Sequence, residues 1–295
     1  MILVTGAKGV VGTPLVERLE REGRSYLSVS RAMSNAPKQL QWDLHQSASP
    51  KTLEFLLPIN VLIHCAPIWL LAERLNDLQK TDLKRLVVFS STSVLSKVDS
   101  ENKQEQGLVT QLRQAEQDIS KFCLKHDWQL TILRPSLIYG YSRDQNISHI
   151  AAMIKRFGFM ILVGQGVGKR QPVHADDLVE ASLKVLENPA CIGKVYNLAG
   201  GEVLSYRSMV ERIFIGLEKK PRIIALPLKL VRLVLNVAAK LTAFSYTPEM
   251  ADRMNQDLNY DYSAAQADFA YEPQAFLINP KRDLNTITNR NTNLS

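Results

Sequence analysis

The stretch Thr5-Gly6-Ala7-Lys8-Gly9-Val10-Val11-Gly12 sets glycines three residues apart, between a short apolar run, Ile2–Thr5, and a helical pattern from about Val11 to Glu22. In that context each glycine has a purpose. Gly6 permits a tight turn, Gly9 lets the backbone approach a pyrophosphate, and Gly12 lets the helix pack closely against the sheet. Lys8, Val10 and Val11 complete a loop whose N–H groups, with the positive end of the helix dipole, face the phosphates. The chemistry this implies is the non-covalent holding of a dinucleotide.

A second set of residues bears on which dinucleotide. Sites that prefer NAD usually carry an acid after the second strand, where it binds the ribose 2′-hydroxyl. Here that strand ends Val29-Ser30-Arg31. A hydroxyl and a guanidinium suit a 2′-phosphate, on which Arg makes forked, charge-assisted hydrogen bonds. The expectation is NADP, with NAD second.

The elements that must position these residues alternate. Strands are expected at Ile2–Thr5, Tyr26–Ser30, Leu40–Asp43, Val61–Cys65, Leu86–Phe89 and Gln129–Leu133, with a long helix over roughly Glu105 to His126. Apolar runs of strand length separated by helices give crossover units and a parallel sheet buried on both faces. The expected fold is a Rossmann-like, doubly wound parallel α/β sheet with a smaller, mostly helical C-terminal substrate lobe. Residues 1–138 and 172–200 form the nucleotide-binding domain, and 139–171 and 201–280 the lobe. Residues 281–295, rich in Asn, Thr and Arg, read as a loose tail.

Composition narrows the function classes. The 295 residues are 45% apolar and 22% charged, ordinary for a globular chain. Thirty-six Lys and Arg against 29 acids give a formal charge of +7. The basic residues are scattered and the aromatics do not interleave with them, so nucleic acid is not an expected partner. Cys65, Cys123 and Cys191 show neither CxxC spacing nor a histidine cluster, and no metal site is expected. Reduced thiols, no leader and no span of membrane length point to the cytoplasm.

Further motifs follow in order: Trp42-Asp43-Leu44, His64-Cys65-Ala66-Pro67, Ser90-Ser91-Thr92-Ser93-Val94, Leu133 to Gly140 (LRPSLIYG), Arg170 to Asp177 (RQPVHADD) and Tyr196 to Gly201 (YNLAGG). Together with the TGxxGxxG spacing they resemble the extended short-chain dehydrogenases/reductases, in the NAD-dependent epimerase/dehydratase branch. That resemblance covers most of the chain. It implies that Asp43 and Leu44 hold adenine, that Cys65, Ala66 and Pro67 lie beside the ribose, and that Ser90, Pro135 and Ser136 line the cofactor. It further implies hydride transfer on a nucleotide sugar or a related polar substrate, with Thr92 and Arg170 on the substrate side.

One part of the family's pattern is missing. Its members use a Tyr as acid/base and a Lys four residues on, neighbours on one helix face. Here no Tyr lies between Tyr26 and Tyr139, and no Tyr in the chain is followed by Lys at the fourth position. With Ala115-Glu116 as register, the pair falls on Leu108 and Leu112. Ser91 matches the family's assisting Ser/Thr. Lys97 and Tyr141 are the candidates for a relocated proton donor, against their ordinary readings as a solvated lysine and a loop tyrosine. His174 and Asp177 read as a packed ring and a cap for a helix from Leu178 to Leu186. Two readings stay open: an enzyme with an altered site, or a module that binds or senses NADP without turnover.

In the second lobe, Leu226 to Phe244 confines its polar residues, Lys229, Arg232, Asn236 and Lys240, to one narrow stripe. A helix of that kind is buried, lies at a partner interface such as a homodimer's, or rests on a lipid surface. The last would suit a lipid-linked sugar as substrate.

Overall fold

The computed structural model describes residues 1–31, 37–96, 102–227 and 253–284. The elements run β1 (Ile2–Thr5), α1 (Gly12–Arg21), β2 (Tyr26–Ser30), β3 (Gln39–Gln41), α2 (Pro50–Leu56), β4 (Val61–His64), α3 (Ile68–Ala72), α4 (Leu75–Leu78) and β5 (Arg85–Phe89). They continue α5 (Ser93–Ser96), α6 (Lys103–Lys125), β6 (Gln129–Pro135), β7 (Ile138–Tyr139), α7 (Ile147–Phe157), β8 (Met160–Val163), β9 (Lys169–Arg170) and β10 (Val173–His174). The remainder is α8 (Ala175–Glu187), β11 (Val195–Leu198), β12 (Leu204–Ser205), α9 (Tyr206–Gly216), β13 (Ile223–Leu226), α10 (Ser263–Phe269) and α11 (Pro280–Leu284). Among the described residues no helix is long and apolar enough to cross a membrane.

The chain forms two compact units. The first comprises Met1–Ser136, Ala175–Ala199 and Tyr260–Pro273. Its seven strands lie in the order β11-β6-β5-β4-β1-β2-β3, all parallel. β1 has β2 on one side and β4 on the other, so the strand order reverses there, and the crevice at such a point is where ligands bind. The core explains the apolar runs. Every residue of β1 and of β5 is buried, as a central parallel strand requires. α6 turns Val109, Leu112, Ala115, Ile119 and Cys123 inward at helical spacing, and Asn102 caps it by accepting from the amides of Gln104 at 2.8 Å and Glu105 at 3.3 Å.

The second unit comprises Leu137–His174, Gly200–Asn259 and Gln274–Ser295. Its core gathers Ile147, Ile150, Ile154, Met209, Ile213, Phe214 and Phe276 from α7, α9 and the chain before α11. Beside those helices it carries three two-stranded pairs, β7 with β10, β9 with β12 and β8 with β13.

Four details depart from the sequence expectation. Val195–Leu198 is a seventh sheet strand, registered on Ile132–Pro135. Tyr260–Pro273 belongs to the first unit, because Asp268 accepts from Tyr196 Oη at 2.5 Å and Lys194 Nζ at 2.7 Å while Phe269 packs edge-on to Tyr196. Residues 281–284 are helix rather than tail, with Asp283 and Leu284 buried, and 285–295 lie outside the described residues. Finally, α8 starts at Ala175, so Asp177 sits in its first turn and complements the helix dipole rather than capping the helix. Most of the apolar stretch Leu226 to Phe244 also lies outside the described residues.

Candidate dinucleotide-binding site

Gly6 has φ +71°, and a Cβ there would stand 2.5 Å from the amide nitrogen of Ala66. The loops after β1 and β4 thus touch backbone to backbone, and only a hydrogen fits between them. A Cβ on Gly12 would lie 2.2 Å from the Gly6 carbonyl oxygen, so Gly12 brings the start of α1 against the loop itself rather than against the sheet. The Gly6 carbonyl accepts from the Gly9 amide at 2.9 Å, and Thr13 Oγ1 donates to the Ala7 carbonyl at 3.2 Å. Gly9 itself is exposed, and a Cβ there would meet only the Gly6 oxygen, at 3.1 Å. No side chain caps α1 and no acid stands in its first turn. A helix N-terminus left in that state suits a phosphate.

This loop forms one end of a groove of about 860 Å³. Ten of the residues expected at the cofactor line it: Gly6, Lys8, Gly9, Ser30, Arg31, Asp43, Leu44, Cys65, Ala66 and Pro67. Val10, Val11 and Gly12 lie at the start of α1 behind the loop, and Ser90, Pro135 and Ser136 stand at the ends of β5 and β6, outside the groove lining. Ala7, Val29, Trp42, His45 and Leu70 also line it and were not singled out. Each is a sequence neighbour of an expected residue except Leu70, which α3 brings in one turn beyond Pro67. Trp42 is fixed at both ends, its amide donating to the Ser30 carbonyl and its indole to the Gln46 carbonyl, each at 3.0 Å. Asp43 is the acid in the lining, and its carboxylate accepts from the His45 amide at 3.1 Å. Arg31 is exposed at the end of β2.

His64 braces the groove from behind. It is fully buried, with Nδ1 2.7 Å from Thr5 Oγ1 and Nε2 3.2 Å from the Pro67 carbonyl. Burial pulls its pKa down to about 4, so the ring is neutral at pH 7. A carbonyl only accepts, so Nε2 carries the proton and Nδ1 accepts from the Thr5 hydroxyl. The ring therefore ties the glycine loop to the Ala66-Pro67 turn. Burial also pushes the Cys65 thiol up to about 12, which leaves it protonated and unreactive.

At the end of β5, Ser91 is half-buried and its Oγ accepts from the Ser93 amide at 3.1 Å, starting α5. Ser90 Oγ donates to Glu116 at 2.5 Å, and Arg134 grips both oxygens of the same carboxylate. Glu116 served only as register in the sequence; here it joins β5, α6 and β6. Thr92 departs from the expected substrate role: it is buried and its hydroxyl donates to the Pro135 carbonyl at 3.2 Å. Leu112 is buried in the apolar core, with Leu108 packed against the same cluster. Lys97 lies outside the described residues.

Within the second unit, Arg170 is buried, donating to the carbonyls of Lys169 at 2.7 Å, Gln256 at 2.8 Å and Arg253, and its guanidinium lies over the Tyr206 ring. Those carbonyls give it an internal bracing role in place of the expected substrate contact. Tyr141 has a left-handed backbone, φ 57°, held by its amide's bond to Asp283 at 3.3 Å and by Arg282 stacked over its ring. His174 is buried with Nε2 3.1 Å from Asp283. Burial raises the Asp283 pKa, but the bonds from His174 and Arg282 outweigh it and hold the carboxyl below its ordinary value. Among the described residues no group of three His, Cys, Asp or Glu side chains could hold a metal.

Residues 69–199 match the model of the NAD dependent epimerase/dehydratase family. A stretch of 105 residues, 35% of this chain, is 29% identical to NADH dehydrogenase (ubiquinone) 1 alpha subcomplex subunit 9, mitochondrial, of Arabidopsis thaliana. In such matches the chain spans about a quarter of the curated relatives' length. UDP-glucose 4-epimerase of Vibrio cholerae is 22% identical, with 92% of this chain and 90% of that protein covered. The structure of UDP-glucuronic acid 4-epimerase from Bacillus cereus, in complex with UDP-glucuronic acid and NAD, superposes with a TM-score of 0.70 at 17% identity, covering 94% of this chain and 95% of that one. The chain thus has a Rossmann-type fold, and the stretch 69–199 within it is similar to the NAD dependent epimerase/dehydratase family.

Proposed function

We propose that this chain holds NADP(H), with NAD as the weaker ligand, in the groove of the nucleotide-binding unit. The observation that carries this reading is the convergence of Gly6, Gly9, Ser30, Arg31, Asp43 and Ala66 on one groove beside the uncapped start of α1. The glycine loop and α1 take the pyrophosphate, Trp42 to Leu44 the adenine end, and Ser30 with Arg31 the 2′-phosphate. A bound nicotinamide cofactor supplies hydride acceptance and return. The substrate class is a nucleotide sugar or lipid-linked sugar. Ser91 holds a substrate oxygen, and the proton is moved by a group other than the family's Tyr, with Lys97 and Tyr141 as candidates.

A second reading has one observation in its favour. Leu112 lies in the apolar core, where neither it nor Leu108 can carry a proton, so the cofactor is held or sensed without turnover. The experiment is to incubate the purified protein with NADPH, and with NADP, against a panel of nucleotide sugars while following absorbance and sugar products together. Turnover supports the enzyme. Tight cofactor binding with no product at any substrate supports the binding module. Absence of cofactor binding overturns both.

A further inference from the structure

On the second unit, β8 and β13 form a parallel two-stranded pair in which Ile161 and Ile224 are in register. Residues in register on parallel strands point to the same face. Met160, Leu162 and Val163 turn into the core, whereas Ile161 is 40% exposed and Ile224 47%. The chain enters β8 from the end of α7, where Phe157 is 45% and Phe159 37% exposed, their ring centroids 6.4 Å apart. Aromatic and branched aliphatic side chains thus stand outward together on one short stretch of surface, the pattern that marks an interaction site rather than scattered exposure.

The charge around this patch is predominantly positive. Residues 154–163 and 216–227 carry Lys155, Arg156, Lys219, Lys220 and Arg222 against the single acid Glu218. Arg156 lies over the Phe157 ring at 5.1 Å, and Lys219 reaches the carbonyls of Ile154 and Lys155 at the end of α7. Beyond Glu218 the sequence has no acid until Glu249. A second copy of the chain would set these cations against their own images, which like-charge repulsion opposes. An anionic lipid surface meets both halves of the pattern: phenyl and isoleucyl groups enter the headgroup boundary while Lys and Arg stay among the phosphates.

We propose that this face, with Phe157, Phe159, Ile161 and Ile224 at its centre and Arg156, Lys220 and Arg222 at its rim, docks the protein on an anionic bilayer surface. The contact is peripheral and salt-sensitive, because each cation near such a surface contributes roughly fivefold in affinity and is screened beyond a Debye length.

The test is co-sedimentation of the full chain with phosphatidylglycerol/phosphatidylcholine vesicles and with phosphatidylcholine alone. The expected result is binding to the anionic vesicles only, reduced at least tenfold by Phe159→Asp with Ile224→Asp, and by a similar factor by Lys220→Glu with Arg222→Glu. NADP(H) affinity and thermal unfolding serve as fold controls, since both pairs lie outside the nucleotide-binding unit. Binding undiminished from wild type in both variants, or none by the wild type, overturns the proposal. So does loss in the charge variant alone, which would mean that the apolar centre takes no part. A doubled mass in light scattering that the Asp pair abolishes would assign the face to a second copy instead.

Discussion

Arg134 donates its Nε to Oε1 of Glu116 over 2.9 Å and its terminal nitrogen to the other oxygen, so a planar fork grips a carboxylate that is only 7% exposed. The pair ties the end of β6 to the middle of α6, and Ser90 adds β5 by donating to the same carboxylate. Removing one partner of a buried, bidentate pair strands the other. Glu116→Ala should cost about 2–4 kcal/mol of stability, and Glu116→Gln, which keeps one acceptor, clearly less. Urea unfolding of the two variants checks the order.

The proposed preference for NADP(H) rests on Ser30 and Arg31. Calorimetry should show NADP(H) binding more tightly than NAD(H), and Arg31→Ala should weaken NADP(H) alone by about 10–100-fold, the worth of one charge-assisted contact. Equal affinities in the wild type would remove the phosphate role from Arg31.

Two glycines separate strain from occupancy. Gly9→Val should abolish dinucleotide binding with little loss of stability, because a Cβ there meets protein only at the Gly6 oxygen, 3.1 Å away. Gly6→Ala should instead destabilise the fold, since φ is +71° and the Ala66 nitrogen lies 2.5 Å from the new carbon. Thermal unfolding and cofactor titration on both variants give the two readouts.

His64 makes stability depend on pH. Its folded pKa is near 4 against 6.5 for the free side chain, so between those values the unfolded chain takes a proton that the folded one refuses. The contribution is full above about 6.5 and is lost as pH falls toward 4, a total on the order of 3 kcal/mol. Unfolding midpoints from pH 7.5 to 4 should show this slope, and His64→Gln should flatten it.

The two leucines at the expected Tyr and Lys positions differ in environment. Leu108 is half-buried and Leu112 lies in the core at 4% exposure. Leu108→Tyr should therefore be tolerated. Leu112→Lys should cost about 3 kcal/mol or more, because an unpaired ammonium enters an apolar site. Circular dichroism melting of each single variant checks the contrast.

The first unit was readable because its signals are local. Six strand positions, α1, α6 and ten groove residues follow from runs of residues adjacent in sequence. What escaped was long-range. Nothing in Val195–Leu198 distinguishes it as a strand until Ile132–Pro135 lies beside it. Tyr260–Pro273 shows its allegiance only through tertiary contacts, such as those of Asp268 and Phe269 with Lys194 and Tyr196, more than seventy residues away. Thr92 and Arg170 were expected at the substrate from their motifs, and sequence alone could not show that the carbonyls of Pro135 and Gln256 occupy them. His64 was quoted as part of a motif, but its two hydrogen bonds needed coordinates.

That return of residues 260–273 to the first unit bears on how the molecule is made. β11 is the last strand on its side of the sheet, and α10, which packs on it, leaves the ribosome only after most of the second unit has been synthesised. During that interval the nascent first unit lacks the cover that Phe269 gives the Tyr196 ring, and exposed apolar surface of that kind is prone to association with another chain. Translation stalled between residues 200 and 259 should therefore leave chains that aggregate, although all seven strands of the sheet are already present.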